Sequence, residues 1–211
     1  MKVCVIGAGG WGKNHINTLN KLGALYGIVD FNSTLLNSYK GINQECVLYH
    51  SLDDAINQDF DGFVIATPAE THFEIAKKLI NASHNILIEK PICLKTYQFR
   101  ELIKISKEKK VKFFEMIQYK HHPVFFKLRE ILEKNLIGKV KQVDVGFKIP
   151  LKDKSNFRFK KELGGGAIND IGFYPISIMF TLFNAKKVKI IETKFKKENK
   201  LDVKGSLSAL N

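Results

Sequence analysis

The sequence predicts a doubly wound, parallel α/β domain followed by an α+β domain with a mostly antiparallel, open sheet. Three observations carry this reading. Residues 1–118 alternate short apolar runs with amphipathic stretches. A glycine cluster, Gly7-Ala8-Gly9-Gly10-Trp11-Gly12, follows the first run directly. Near His121-His122-Pro123 the alternation gives way to longer, less regular segments.

The apolar runs lie at 3–6, 25–29, 46–48, 63–66, 86–88 and 111–114. Several are apolar almost throughout, as expected of strands buried on both faces of a parallel sheet. Helical faces separate them. Phe73, Ala76, Leu79 and Ile80 make one, and Phe99, Leu102, Ile103 and Ser106 make another. Strand and helix in alternation argue for double winding.

Past the boundary, Val124, Phe125, Leu128, Ile131 and Leu132 describe an amphipathic helix that ends by Gly138. A strand is expected over 140–149 and a charged loop over 152–161. Gly164-Gly165-Gly166 then leads into a helical segment ending at Phe183. Further strands are expected at 188–195 and 201–210. The expected domains are therefore 1–120 and 121–211, without internal repeats. The last strand runs straight to Asn211 with no closing helix, and three strands alone would leave edges unpaired. The sequence is therefore expected to stop inside its second domain.

Composition sets outer limits. The chain of 211 residues is 45% hydrophobic and 26% charged, enough for a sizeable core. No apolar run approaches the ~20 residues of a bilayer span. The start, Met-Lys-Val-Cys-Val-Ile-Gly, lacks the pattern of a signal peptide, so a cytoplasmic protein without membrane partners is expected. Cys4, Cys46 and Cys93 are odd in number and widely spaced, which argues against a disulfide framework or a zinc site. The net charge of +13 raises nucleic-acid binding as a class. Only three of the 34 basic residues are Arg, however, and no basic helix or aromatic platform accompanies them, so no nucleic-acid partner is expected. The charge is uneven: 15 basic and 12 acidic residues up to 122, then 19 and 9. A solvated lysine surface is the favoured explanation, and an anionic substrate the alternative.

The glycine cluster fits G-x-G-x-x-G. Its first glycine, Gly7, allows a tight turn; Gly9 lets backbone approach a pyrophosphate; Gly12 lets helix and strand pack closely. The N-terminus of the following helix offers N–H groups and a positive dipole end to phosphates. Gly10 and Trp11 lie in the same loop, with Trp11 expected to pack beside it. Asp30 ends the second apolar run, where an acid binds adenosine ribose hydroxyls. A carboxylate there repels a 2′-phosphate, so NAD is favoured over NADP.

Three further segments stand in order: Ala66-Thr67-Pro68-Ala69-Glu70-Thr71-His72, Glu89-Lys90-Pro91, and Gly164 to Tyr174, which reads GGGAINDIGFY. Together with the N-terminal glycines they resemble the Gfo/Idh/MocA oxidoreductases along essentially the whole chain. The resemblance implies a Rossmann-type nucleotide-binding domain and an open-sheet domain that bears the substrate site and often forms the oligomer interface. It also implies relatives that are considerably longer, so homo-oligomerisation is expected of the full-length family rather than of this chain. Thr67, Pro68 and His72 would lie where the cofactor crosses the sheet. Glu89 and Lys90 would sit beside the nicotinamide, with Lys90-Pro91 a cis peptide. Gln118 would face the cofactor. Asn156-Phe157-Arg158 resembles the family's Asn-Trp-Arg segment, and Arg158 would reach the cofactor. Asp170 matches the family's acid, and Tyr174 stands where many members have His.

Oxidising an alcohol needs a hydride acceptor and a base in reach of the hydroxyl. A tyrosine serves as base only when its phenolate is stabilised, which a nearby ammonium does. The expected machinery is therefore Tyr174 exchanging the proton, Lys90 orienting the hydroxyl and tuning Tyr174, and Asp170 binding substrate. Asp170 and Tyr174 share a face if that stretch is helical, but Pro175 leaves open a helix that begins only there. His15 is expected to be structural. His121-His122 suggests no metal, since adjacent histidines on a strand point apart. The expected function is hydride transfer between nicotinamide and a hydroxyl of a sugar, cyclitol or nucleotide sugar. The alternative is a dinucleotide-binding remnant or sensor without turnover.

Overall fold

A computed structural model describes residues 1–153, 155–183 and 189–210. The chain divides into two compact units, Met1–Met116 and Ile117–Asn211.

The first unit is a six-stranded parallel sheet, in chain order β1 (Val3–Ile6), β2 (Leu25–Val29), β3 (Val47–Tyr49), β4 (Gly62–Ile65), β5 (Ile86–Ile88) and β6 (Phe113–Glu115). Its spatial order is β3-β2-β1-β4-β5-β6. The helices are α1 (Gly10–Lys21), α2 (Ser33–Asn37), α3 (Leu52–Ala55), α4 (His72–Asn81) and α5 (Thr96–Lys109). The short α2 and α3 carry too few turns for a periodic pattern. Their caps define them instead: Asn32 accepts from the Leu35 N–H, and Ser51 from the Asp54 N–H.

Strand alternation sends side chains to both faces. Cys4 and Ile6 of β1 join Phe63, Ile65, Ile88, Phe73, Leu79, Ile80 and Leu102 in one core. Val3 and Val5 join Ile16, Leu25, Ile28, Leu36 and Val64 in the other. So α3, α4 and α5 cover one face, while α1 and α2 cover the opposite one. Burying a Leu or Ile of this kind contributes about 1.5–3 kcal/mol over leaving it exposed. This two-sided burial is why the strands read as apolar runs.

The second unit holds α6 (Pro123–Glu133), α7 (Phe173–Phe183) and one antiparallel hairpin, β7 (Lys189–Glu198) with β8 (Leu201–Leu210). His122, the N-cap of α6, accepts the Val124 N–H through its ring, and Pro123 opens the helix. The two-residue turn Asn199-Lys200 has positive φ at both positions, the twist a tight hairpin needs.

One expectation changes here. Residues 140–149 alternate like a strand but form none. Alternation places side chains on two faces without supplying a ladder partner, and the described residues give this segment none. The expected strand from 188 is described from Lys189 to Glu198; Val188 lies outside the described residues, as do Lys154 of the charged loop and the terminal Asn211. Of the two helix starts left open, the earlier one is observed, not one at Pro175. A π-helical turn over Ile168–Gly172 runs into α7, and Pro175 lies within it. Proline offers no N–H and crowds the carbonyl four residues back, and the wider turn just before it accommodates both.

Candidate dinucleotide and active site

In the first unit, β1, β2, β4 and β5 all end at one edge of the sheet. They deliver Gly7, Asp30, Ala66-Thr67 and Glu89-Lys90 there in turn. The strand order reverses between β1 and β4. In open α/β sheets the crevice at that reversal, beyond the carboxyl ends of the strands, receives the ligand.

The glycine loop is built for close approach. A Cβ on Gly12 would stand 1.8 Å from the Gly7 carbonyl oxygen. Gly7, with φ +93°, would bring one to 2.8 Å from the Ala66 oxygen. Gly9 caps α1 with no side-chain hydrogen bond, and the first turn holds no acid. These N-terminal amides therefore fit a pyrophosphate, which supplies the acceptors the chain withholds. Trp11 is half exposed on the same turn.

Asp30 is fixed by the backbone. One carboxylate oxygen accepts the Ala8 N–H at 2.8 Å and the other the Asn32 N–H at 2.9 Å. Tyr39 donates its hydroxyl to the Ala8 oxygen at 2.9 Å. Burial, and then the neighbouring Asp30 charge, push that phenol above its ordinary range.

The Thr67 turn is tied in turn. Thr71 donates to the Pro68 oxygen at 2.7 Å, so its single proton is spent, and Thr67 is the donor in their mutual 2.7 Å contact. His72 has a different place from the expected cofactor contact. It is 1% exposed, and its ring nitrogens lie 2.8 Å from the Thr67 and Pro91 carbonyl oxygens. It braces two turns and has no ring nitrogen left for a ligand.

Glu89 is buried, with its carboxylate 2.7 Å from His15 Nε2 on α1. Its second oxygen accepts the Lys90 N–H at 3.3 Å. The Lys90-Pro91 peptide is cis. Beyond it, the Ile92 N–H donates to Glu115 of β6 at 2.8 Å.

In the second unit, Gln118 opens a 3-10 turn over Gln118–His121. Tyr174 lies in an aromatic nest: Phe147 stacks on it at 5.1 Å, and Tyr119 meets it edge-on at 6.3 Å. Ser177 donates to the Tyr174 carbonyl at 3.0 Å and so accepts the Tyr119 hydroxyl at 2.8 Å. Asp170 forms an ion pair with Arg158, both largely buried. The pair lines a cleft of about 230 Å³ that also takes in Leu151, Gly166 and Asp202. Among the described residues, no three His, Cys, Asp or Glu side chains are grouped to hold a metal. No described helix is long and apolar enough to cross a membrane.

Sequence reasoning singled out Asp170 and Arg158 separately but missed their pairing, and it missed Phe147, Tyr119 and the His15–Glu89 contact. All are long-range contacts with no local signal. The nearest hint was the Asn156-Phe157-Arg158 segment, whose Asn156 accepts the Arg158 N–H at 3.1 Å.

Residues 1–117 match the family described as oxidoreductases with an NAD-binding Rossmann fold, and residues 125–209 match the Gfo/Idh/MocA C-terminal domain. The chain belongs to the Gfo/Idh/MocA oxidoreductase family. Among its family relatives is a dTDP-3,4-didehydro-2,6-dideoxy-alpha-D-glucose 3-reductase of Actinomadura kijaniata. It is 30% identical over 118 residues, which is 56% of this chain and 36% of the relative. Two solved structures share the fold. The 3-ketoreductase KijD10 of the same organism, with NADP and TDP-benzene, has a TM-score of 0.88 at 22% identity, covering 99% of this chain and 66% of that one. The WlbA dehydrogenase of Bordetella pertussis, with NADH and UDP-GlcNAcA, has a TM-score of 0.85 at 20% identity, covering 99% and 65%. This chain thus spans about a third of the length of that reductase and about two thirds of these two solved chains.

Proposed function

We propose that this chain is an NAD(P)-dependent oxidoreductase that moves a hydride between nicotinamide and a hydroxyl-bearing carbon of a sugar, cyclitol or nucleotide sugar. The observation that carries the reading is the shared edge of the first unit. There an uncapped helix N-terminus, the backbone-held Asp30 and the Glu89-Lys90 turn meet at the strand-order reversal. Relatives that act on or bind nucleotide sugars support the substrate class.

Residues 1–120 hold the dinucleotide. Gly7, Gly9, Gly10, Trp11 and Gly12 take the pyrophosphate and Asp30 the adenosine ribose, with NAD preferred. Thr67, Pro68, Glu89 and Gln118 line its path. Residues 121–211 contribute to substrate binding and, in longer relatives, to oligomerisation. Bound nicotinamide supplies the hydride acceptor or donor. Tyr174 exchanges the hydroxyl proton, Lys90 orients that hydroxyl and favours the Tyr174 phenolate, and Asp170, held by Arg158, binds substrate. The free thiols Cys4, Cys46 and Cys93 suit a reducing cytoplasm.

The test is NADH oxidation by the purified chain against a panel of dTDP- and UDP-linked keto sugars, with the reverse assay on sugars and cyclitols. Turnover on at least one is expected, with Lys90→Ala and Tyr174→Phe each lowering it by about 100-fold or more. Binding of NADH without turnover on any substrate would favour a non-catalytic dinucleotide-binding protein. Undiminished turnover in both variants would remove the assigned roles.

A further inference from the structure

We propose that His15 is a positioning residue for the nicotinamide half of the cofactor, acting through Glu89 on the Lys90 turn; this rests on the dinucleotide reading above. The adenosine side is marked by Asp30 at the end of β2. A dinucleotide crossing the reversal between β1 and β4 therefore lays its other half over the ends of β4 and β5. The β5 end is Glu89-Lys90.

Glu89 is 5% exposed, and a buried carboxylate is costly unless hydrogen-bonded. The structure gives it two partners on different elements. His15 Nε2, projecting from α1, meets one oxygen at 2.7 Å, and the Lys90 backbone N–H meets the other at 3.3 Å. The carboxylate thus links the phosphate-binding helix to the backbone of the turn that carries Lys90.

The two ends of this link are held in different ways. Helix α1 is fastened independently of His15, by fully buried Ile16 and by the Gly12–Gly7 packing. The turn after β5 follows a three-residue strand and is tied to its surroundings by polar contacts, His72 to Pro91 and Glu115 to Ile92 among them. Loss of the His15 contact leaves Glu89 short of a partner in a buried site. Glu89 then moves toward water and takes the Lys90 backbone with it. The pyrophosphate loop and Asp30 stay in place.

The test is calorimetric titration of the full chain with NADH and with ADP-ribose, which lacks the nicotinamide. Three variants are compared with the unaltered protein: His15→Ala, His15→Met, which fills space without a donor, and His15→Gln, which restores an N–H. The expected result is NADH binding weakened about tenfold in the Ala and Met variants. ADP-ribose affinity should stay within about twofold, and His15→Gln should recover most of the NADH loss. Equal weakening of both ligands, no weakening of either, or unfolding of the donor-free variants would each overturn the proposal, since His15 would then serve the fold alone or nothing. If the unaltered chain binds ADP-ribose but the variants bind NADH normally, the positioning role fails while the dinucleotide reading stands. If the unaltered chain binds neither ligand, both fail.

Discussion

The two units of this chain solve the problem of burying a strand differently. In the first, the central strands β1, β2 and β4 are buried between two helical layers, and β1 sends alternate residues into two separate cores. In the second, every residue of β7 is exposed along the hairpin, and the alternating segment 140–149 forms no strand. A parallel sheet covered on both faces writes itself into sequence as apolar runs, because each side chain must be apolar. A ribbon exposed on its faces writes only alternation, which fixes neither its partner nor its register.

The comparison breaks first at the core. Leu79→Ala should cost about 2–5 kcal/mol, because α4 cannot close over the gap it leaves. Ile191→Thr on β7 should cost within about 0.5 kcal/mol. Urea melts of the two variants measure the contrast, and similar losses would show that the hairpin is buried as tightly as the sheet.

A smaller effect separates packing from recognition inside the first unit. Asp30→Ser removes two carboxylate acceptors from the Ala8 and Asn32 amides, a loss of about 1–3 kcal/mol. It also removes the charge that repels a 2′-phosphate. Titration with NADH and NADPH should show NADH binding weakened and the preference between the two narrowed or reversed. An unchanged ratio would mean that Asp30 serves the loop alone.

The smallest effect is on pH dependence. Burial raises the Cys46 thiol from 9.0 to about 11 and raises Cys4 as well. A thiol that ionises later in the folded chain than in the unfolded one stabilises fully below the unfolded value. That contribution fades as pH climbs from about 9 through 11. Melts across this range should fall more steeply for the unaltered chain than for a Cys4→Ala, Cys46→Ala double variant. Parallel curves would show that both thiols are accessible.

The same division governs what could be read in advance. All six parallel strands were legible within two residues, and so were Gly7 to Gly12 and Asp30, because a chain turn and a strand end are local events. The cis Lys90-Pro91 peptide was expected from the resemblance and is present. The unread parts are those in which distant residues share one polar atom. Nothing near His15 announces Glu89, 74 residues away. Nothing near His72 announces that Thr67 and Pro91 will claim its ring. The path through Pro175 was equally unreadable, because a π-helical turn is a response to strain rather than a pattern of apolar residues.

The central claim is that the first unit is a folded dinucleotide site, and the thermal transition of the whole chain with and without NADH, NADPH or ADP-ribose tests it most directly. A ligand that binds only the folded state raises its apparent stability. A higher transition temperature is predicted with NADH and with ADP-ribose, and a smaller rise with NADPH. A cooperative transition that none of the three ligands moves would contradict the account.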